Sequence, residues 1–130
     1  MNGHFSVVLD ASALLAFLRA EPGAILVQQA LPGAAISSVN WAEVLQRAQA
    51  EHIATAGLYE EMTGLGLAIH PFSVEDATLT ASLHPQTRQA GLSLADRACV
   101  ALATRLTLPV LTADRIWATL DLGITVRLLR

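Results

Sequence analysis

The stretch "FSVVLDASALLAFLRA", residues Phe5 to Ala20, decides the fold class. Its first part, "FSVVL", is apolar and β-branched, as a strand buried on both faces of a sheet should be. The residues after Asp10 are helix formers with apolar side chains on nearly every face. A buried strand that runs straight into a buried helix is the opening unit of a layered α/β structure.

Working outward, the same alternation continues. "EPG" at 21–23 breaks the chain, "AILVQQAL" (24–31) suggests a second short helix, and "PG" at 32–33 ends it. "AAIS" (34–37) reads as a strand, "NWAEVLQRAQAEH" (40–52) as a helix, and "AGLYEEMTGLG" (56–66) as a helix closed by glycine. "LAIHPF" (67–72) is the third strand, "SVEDATLTASLH" (73–84) a helix capped by Ser73, and "SLADRACVALATRL" (93–106) a long helix capped by Ser93. "PVLT" (109–112) is a fourth strand, "RIWATL" (115–120) a short helix, and "ITVRLL" (124–129) the last strand. This order predicts one α/β domain over residues 1–130, with a central, mainly parallel sheet covered by helices on both faces.

Composition narrows the class. The chain has 130 residues, and the hydrophobic fraction of 53% is high, but charges interrupt every apolar run well before the ~18 residues that suggest a membrane span. The N-terminus "MNGHFSVVLD" lacks a basic leader, so no signal peptide is expected. Cys99 is the single cysteine, which precludes an internal disulfide and fits a reducing cytoplasm. A net charge of −3 argues against nucleic-acid binding through a large basic surface. All eight basic residues are arginine, however, and committing four of the eleven acids to a metal leaves the remaining surface near neutral. A local arginine rim can then still meet phosphate.

Ligands of an open parallel sheet sit beyond the carboxyl ends of its strands. Four acids fall there: Asp10 after strand one, Glu43 in the first turn of the helix after strand two, Asp96 in the first turn of the long helix, and Asp114 past strand four. Each also has a purely local explanation. Asn40 and Glu43, like Ser93 and Asp96, are spaced as capping boxes, Asp10 can cap the helix it precedes, and a helix dipole favours Asp114. Taken together they weigh differently, since four carboxylates at one sheet edge repel one another unless a cation or protons compensate. An all-carboxylate set suits a hard cation such as Mg²⁺ or Mn²⁺, whereas His4, His52, His70 and His84 lack zinc-ligand spacings. Such a metal can activate water for in-line attack on a phosphodiester.

Four segments, "VVLDASALLAFLRAEPG", "ISSVNWAEV", "LSLADRACVALA" and "VLTADRIW", resemble the successive acidic motifs of the PIN-domain ribonucleases, and among them the VapC toxins of bacterial toxin–antitoxin modules. The resemblance runs over nearly the whole chain. It implies a three-layer α/β/α fold and an Mg²⁺/Mn²⁺-dependent endoribonuclease, commonly a homodimer held in check by a VapB-type antitoxin. By position, Asp10, Glu43, Asp96 and Asp114 are the acidic quartet. Ser12, Ser38, Asn40 and Thr112 lie next to the acids and can hold carboxylates or metal-bound water, although capping explains Asn40 and Thr112 equally well. Asp121 is an additional candidate acid that reads equally as a turn residue.

Arg97 stands where many members of the family have alanine. Both it and Arg115 are candidate RNA contacts, with a salt bridge the alternative for Arg97. Trp41 and Trp117, each beside a proposed acid, can stack a splayed base or simply pack. Leu14, Leu15, Phe17, Leu18, Ile25, Leu26 and Val27 exceed what burial of one helix face requires. Most of them are core, and the remainder suggest a groove for an amphipathic antitoxin segment.

Two rivals fail. A receiver domain wants a lysine near its acidic pocket, and this chain has none; a haloacid-dehalogenase-type phosphatase wants aspartates two apart, where this chain has Asp10, Ala11 and Ser12. The alternative from another class is a PIN-like module without activity that binds protein or RNA.

Overall fold

The computed structural model describes residues 5–130; His4 lies outside them. Five strands, β1 (Val7–Leu9), β2 (Ala34–Ser37), β3 (Ala68–His70), β4 (Val110–Thr112) and β5 (Val126–Leu128), form one sheet in the order β3-β2-β1-β4-β5. Every pairing is parallel, so the sheet is wholly rather than mainly parallel. Helices α1 (Ala11–Leu18) and α2 (Ala24–Ala30) link β1 to β2, and α3 (Ser38–Ala50) and α4 (Leu58–Gly64) link β2 to β3. The chain then passes through α5 (Val74–Ser82), α6 (His84–Thr87) and α7 (Leu94–Leu106) to reach β4 beside β1.

Strand periodicity explains the three layers. In β1, Val7 and Leu9 pack with α1 to α4, while Val8 points the other way into a cluster with Cys99, Val100 and Leu102 of α7. Both faces are apolar, which is why "VVL" carries no polar alternation. One α/β/α sandwich results, with a core on each side of the sheet.

Boundaries differ from expectation in instructive places. Helix α3 begins at Ser38, two residues early, because Ser37 ends β2 and caps the helix at once, its hydroxyl accepting from the Val39 amide. Asn40 is therefore inside the helix, not a cap, and Glu43 lies in the second turn. Strands β3 and β5 are shorter than "LAIHPF" and "ITVRLL", and "RIWATL" is a 3-10 turn (Arg115–Thr119). Helix α6, a single turn carrying Pro85, was not expected from "HPQT". Gly66, at φ +107°, lets the chain enter β3 hard against Pro32; a Cβ there would stand 2.5 Å from the Pro32 Cα.

Candidate functional site

The chain leaves β1 toward one side of the sheet to build β2 and β3, and returns to the other side for β4 and β5. The crevice between β1 and β4 is thus the switch point, where an open parallel sheet places its ligands. A cavity of about 230 Å³ lies there, lined by Asp10, Ala11, Ser12, Glu43, Arg47, Ser93, Asp96 and Asp114. All four acids anticipated from the sequence line this one cavity.

Asp10 sits at the floor, only 4% exposed, as the N-cap of α1. Its carboxylate accepts from the Ser12 hydroxyl at 2.7 and 2.9 Å, from the Ala13 amide at 2.9 Å and from the Thr112 hydroxyl at 2.5 Å. Burial pushes its carboxyl up to about 6 from the ordinary 3.8, a shift that these hydrogen bonds resist and the nearby charge of Asp96 adds to. Ser12 and Thr112 also stitch the two central strand ends together. The Ser12 hydroxyl accepts from the Ala113 amide at 2.9 Å, and the Thr112 hydroxyl from the Asp114 amide at 3.0 Å.

Asp96 and Ser93 form the anticipated capping box of α7, with Ser93 N–H donating to Asp96 Oδ2 at 2.9 Å and Asp96 N–H to Ser93 Oγ at 3.1 Å. Capping therefore accounts for the position of Asp96 without removing it from the cavity. Asp114 caps the 3-10 turn through the Ile116 amide. Glu43 reaches in from α3; partial burial raises its carboxyl, Arg47 opposes the shift at 3.9 Å, and the charge of Asp96 reinforces it. Arg47 was not singled out in the sequence, though it lies four residues beyond Glu43, one helical turn along the same face.

Other candidates take different places. Asn40 is buried and donates from Nδ2 to the Ala95 carbonyl at 2.9 Å, tying α3 to the first turn of α7; its Oδ1 has no partner among the described residues. Ser38 accepts from the Phe72 amide and braces the exit of β3, off the cavity. Among the described residues Arg97 makes neither ion pair nor cavity contact: it turns toward α5 and donates to the Thr80 carbonyl at 3.0 Å. Arg115 donates to the Arg130 carbonyl at 2.6 Å.

Asp121 is at the opposite edge of the sheet. It lines a separate cavity with Thr107, Leu108 and Pro109, because the 3-10 turn has already carried the chain back toward the start of β5. Trp117 is fully buried in the core on the α7 side, while Trp41 is half-buried against the other core. The indole of Trp117 therefore packs instead of facing a base.

The donor set is entirely oxygen, as a hard cation prefers. As the side chains stand, no three carboxylate, imidazole or thiol groups among the described residues converge to ligate one ion together. A Mg²⁺-like ion that retains most of its water needs only one or two direct carboxylates, so the cavity fits it in hydrated form. The floor carboxylate, kept costly to ionise by burial, is the group such a charge would relieve.

Solved structures of the same fold include a toxin–antitoxin complex from Klebsiella pneumoniae, at 22% identity and TM-score 0.72 over 96% of this chain and 98% of that one. DNA-bound VapBC from Salmonella typhimurium is similar at 15% identity and TM-score 0.73, over 97% and 99% of the two chains. VapBC2 from Rickettsia felis, bound to a DNA fragment from its promoter, follows at 14% and 0.69, over 95% and 98%. No curated protein matches the sequence. The family model of the PIN domain matches residues 7–122, a span that opens on β1 and takes in every acid lining the cavity, and the chain therefore belongs to the PIN-domain family.

Proposed function

We propose that this chain is a divalent-metal-dependent endoribonuclease and the toxin of a VapBC-type toxin–antitoxin pair. The observation that carries the reading is the switch-point cavity lined by Asp10, Glu43, Asp96 and Asp114, with the Asp10 carboxyl pushed up to about 6 by burial. A Mg²⁺ or Mn²⁺ held at these carboxylates would activate a water and offset the charge that grows on a phosphodiester during in-line attack. The chain's own residues prepare for it. Ser12, Thr112 and the Ala13 amide fix the orientation of Asp10, and the Ser93 box fixes Asp96. Glu43 and Asp114 flank them from α3 and from the end of β4.

The proposed partner is a VapB-type antitoxin. The three solved relatives are a toxin–antitoxin complex and two VapBC assemblies. Of the apolar residues in the first two helices, Leu14, Leu15 and Val27 are core, whereas Ile25 and Leu26 are 64% and 46% exposed. Leu26 borders a cavity shared with Val7, Ala30, Leu111 and Leu128, which suits the apolar anchors of an antitoxin segment. A homodimer and a cytoplasmic location belong to the same reading. No helix among the described residues is long and apolar enough to cross a membrane.

A module without activity has one observation in its favour: Asp10, Asp96 and Asp114 all have oxygens engaged as caps. Purified protein incubated with total RNA separates the two readings. Cleavage is expected with Mg²⁺ or Mn²⁺, and none with EDTA or in Asp10→Asn or Asp96→Asn. Absence of cleavage, or its survival in both variants, would overturn the nuclease. Expression that leaves growth unaffected would favour the binding module.

A further inference from the structure

We infer that Arg47 is the residue that receives an RNA phosphate at the mouth of the acid cavity; the inference rests on the nuclease reading and names a substrate contact within it. Four carboxylates line the cavity, and any phosphate approaching them meets like charge. Among the described residues Arg47 is the one basic side chain in that lining, projecting from α3 one turn past Glu43.

The other arginines are committed elsewhere or lie off the cavity. Arg19 forks onto Glu51 and Arg105 onto Asp76, while Arg97, Arg115 and Arg130 donate to the carbonyls of Thr80, Arg130 and Pro22. Arg88 and Arg127 do not line the cavity. The side chain of Arg47 is 51% exposed, and its contact with Glu43 is a single long approach of 3.9 Å. A pair this open and this distant holds the guanidinium weakly. Its planar fork, by contrast, matches two phosphate oxygens.

The same position gives Arg47 opposite effects on the two ligands. Its charge repels a cation entering beside Glu43 and attracts the phosphate that follows. Once a cation engages Glu43, the carboxylate no longer competes for the guanidinium. A side chain that merely supported α3 would shift both affinities together or neither.

The test uses Arg47→Ala and Arg47→Lys in the full chain. Mn²⁺ titration without RNA should show Arg47→Ala binding the metal tighter, by about threefold. Binding of an end-labelled single-stranded oligoribonucleotide, measured in an Asp10→Asn background that leaves the RNA intact, should weaken about tenfold. The slope of log affinity against log salt should shrink by about 0.7, one phosphate contact on a single strand. Arg47→Lys should keep that slope with lower affinity, since it keeps the charge and loses the fork.

If Arg47→Ala leaves both affinities unchanged, or lowers both, Arg47 is not the phosphate contact, even where the wild type cleaves RNA and the nuclease reading stands. If RNA binding depends on Arg47 but the wild type does not cleave, the contact stands and the nuclease reading falls. A wild type that neither binds nor cleaves RNA removes both.

Discussion

Asp10 is buried where a carboxylate is expensive to ionise, and the surrounding hydroxyls offset only part of that expense. Its folded value of about 6 lies above the ordinary 3.8, so the folded chain holds this proton more tightly than the unfolded chain does. Stability of the metal-free protein should therefore fall as pH rises between these values, by about 3 kcal/mol in all, and level off above the higher one. Urea denaturation in EDTA at acidic and at neutral pH reads this slope directly. Asp10→Asn should flatten it and be the more stable protein at neutral pH, while cleaving nothing. At this scale the sequence was legible where position alone matters: an acid directly after a strand, or at the head of a helix, lands at the sheet edge whatever its rotamer. It was illegible where direction matters. Arg97 follows Asp96 in the chain, yet the helix turns about 100° per residue and delivers the guanidinium to α5. Asn40 has the spacing of a capping box with Glu43, but the cap had already been supplied by Ser37.

Among the elements, α7 is the one that every part of the site leans on. It packs against the sheet through Cys99, Val100, Leu102 and Ala103, and it receives α5 through a part-buried pair in which Arg105 Nε donates to Asp76 Oδ1 at 2.6 Å. Burial works against the Asp76 carboxylate, but the Arg105 guanidinium and the Ser73 amide outweigh it and hold its pKa below the usual range. The contribution of that pair is present above the ordinary carboxylate range and is lost on acidification through the folded value. Asp76→Ala should cost about 1–2 kcal/mol, since it removes the partner of a part-buried guanidinium and breaks the capping box of α5. Adding Arg105→Met should recover part of the loss, as a double-mutant cycle in urea would show. Asn40→Ala should cost about 1 kcal/mol and loosen α7 from α3, read as a lower midpoint in urea. Helices and strands were legible as elements because both core faces are written in apolar residues. Helix α6 was not, since one turn is too short to show a period, and "RIWATL" was legible as a short helix but not as one of 3-10 type.

At the scale of the molecule, the sequence implied a parallel sheet but could not order its strands; β1 and β4 are brought side by side only by the crossover through α7. That pairing creates the crevice, and the linkage between metal and stability follows from it. Mn²⁺ at a hundred times its dissociation constant should stabilise the fold by about 2.7 kcal/mol at neutral pH. The gain should be smaller at pH 5, where Asp10 is mostly protonated and the cation must displace its proton. Thermal melts with Mn²⁺ and with EDTA at the two pH values test the difference. The same pairing also sets when the site can exist. Asp10 is translated well before Asp114, and Val8 cannot meet Val110 until both have emerged. A chain in translation has no assembled cavity before β4 has emerged to pair with β1, so any nuclease activity is withheld from the ribosome that is building it until then.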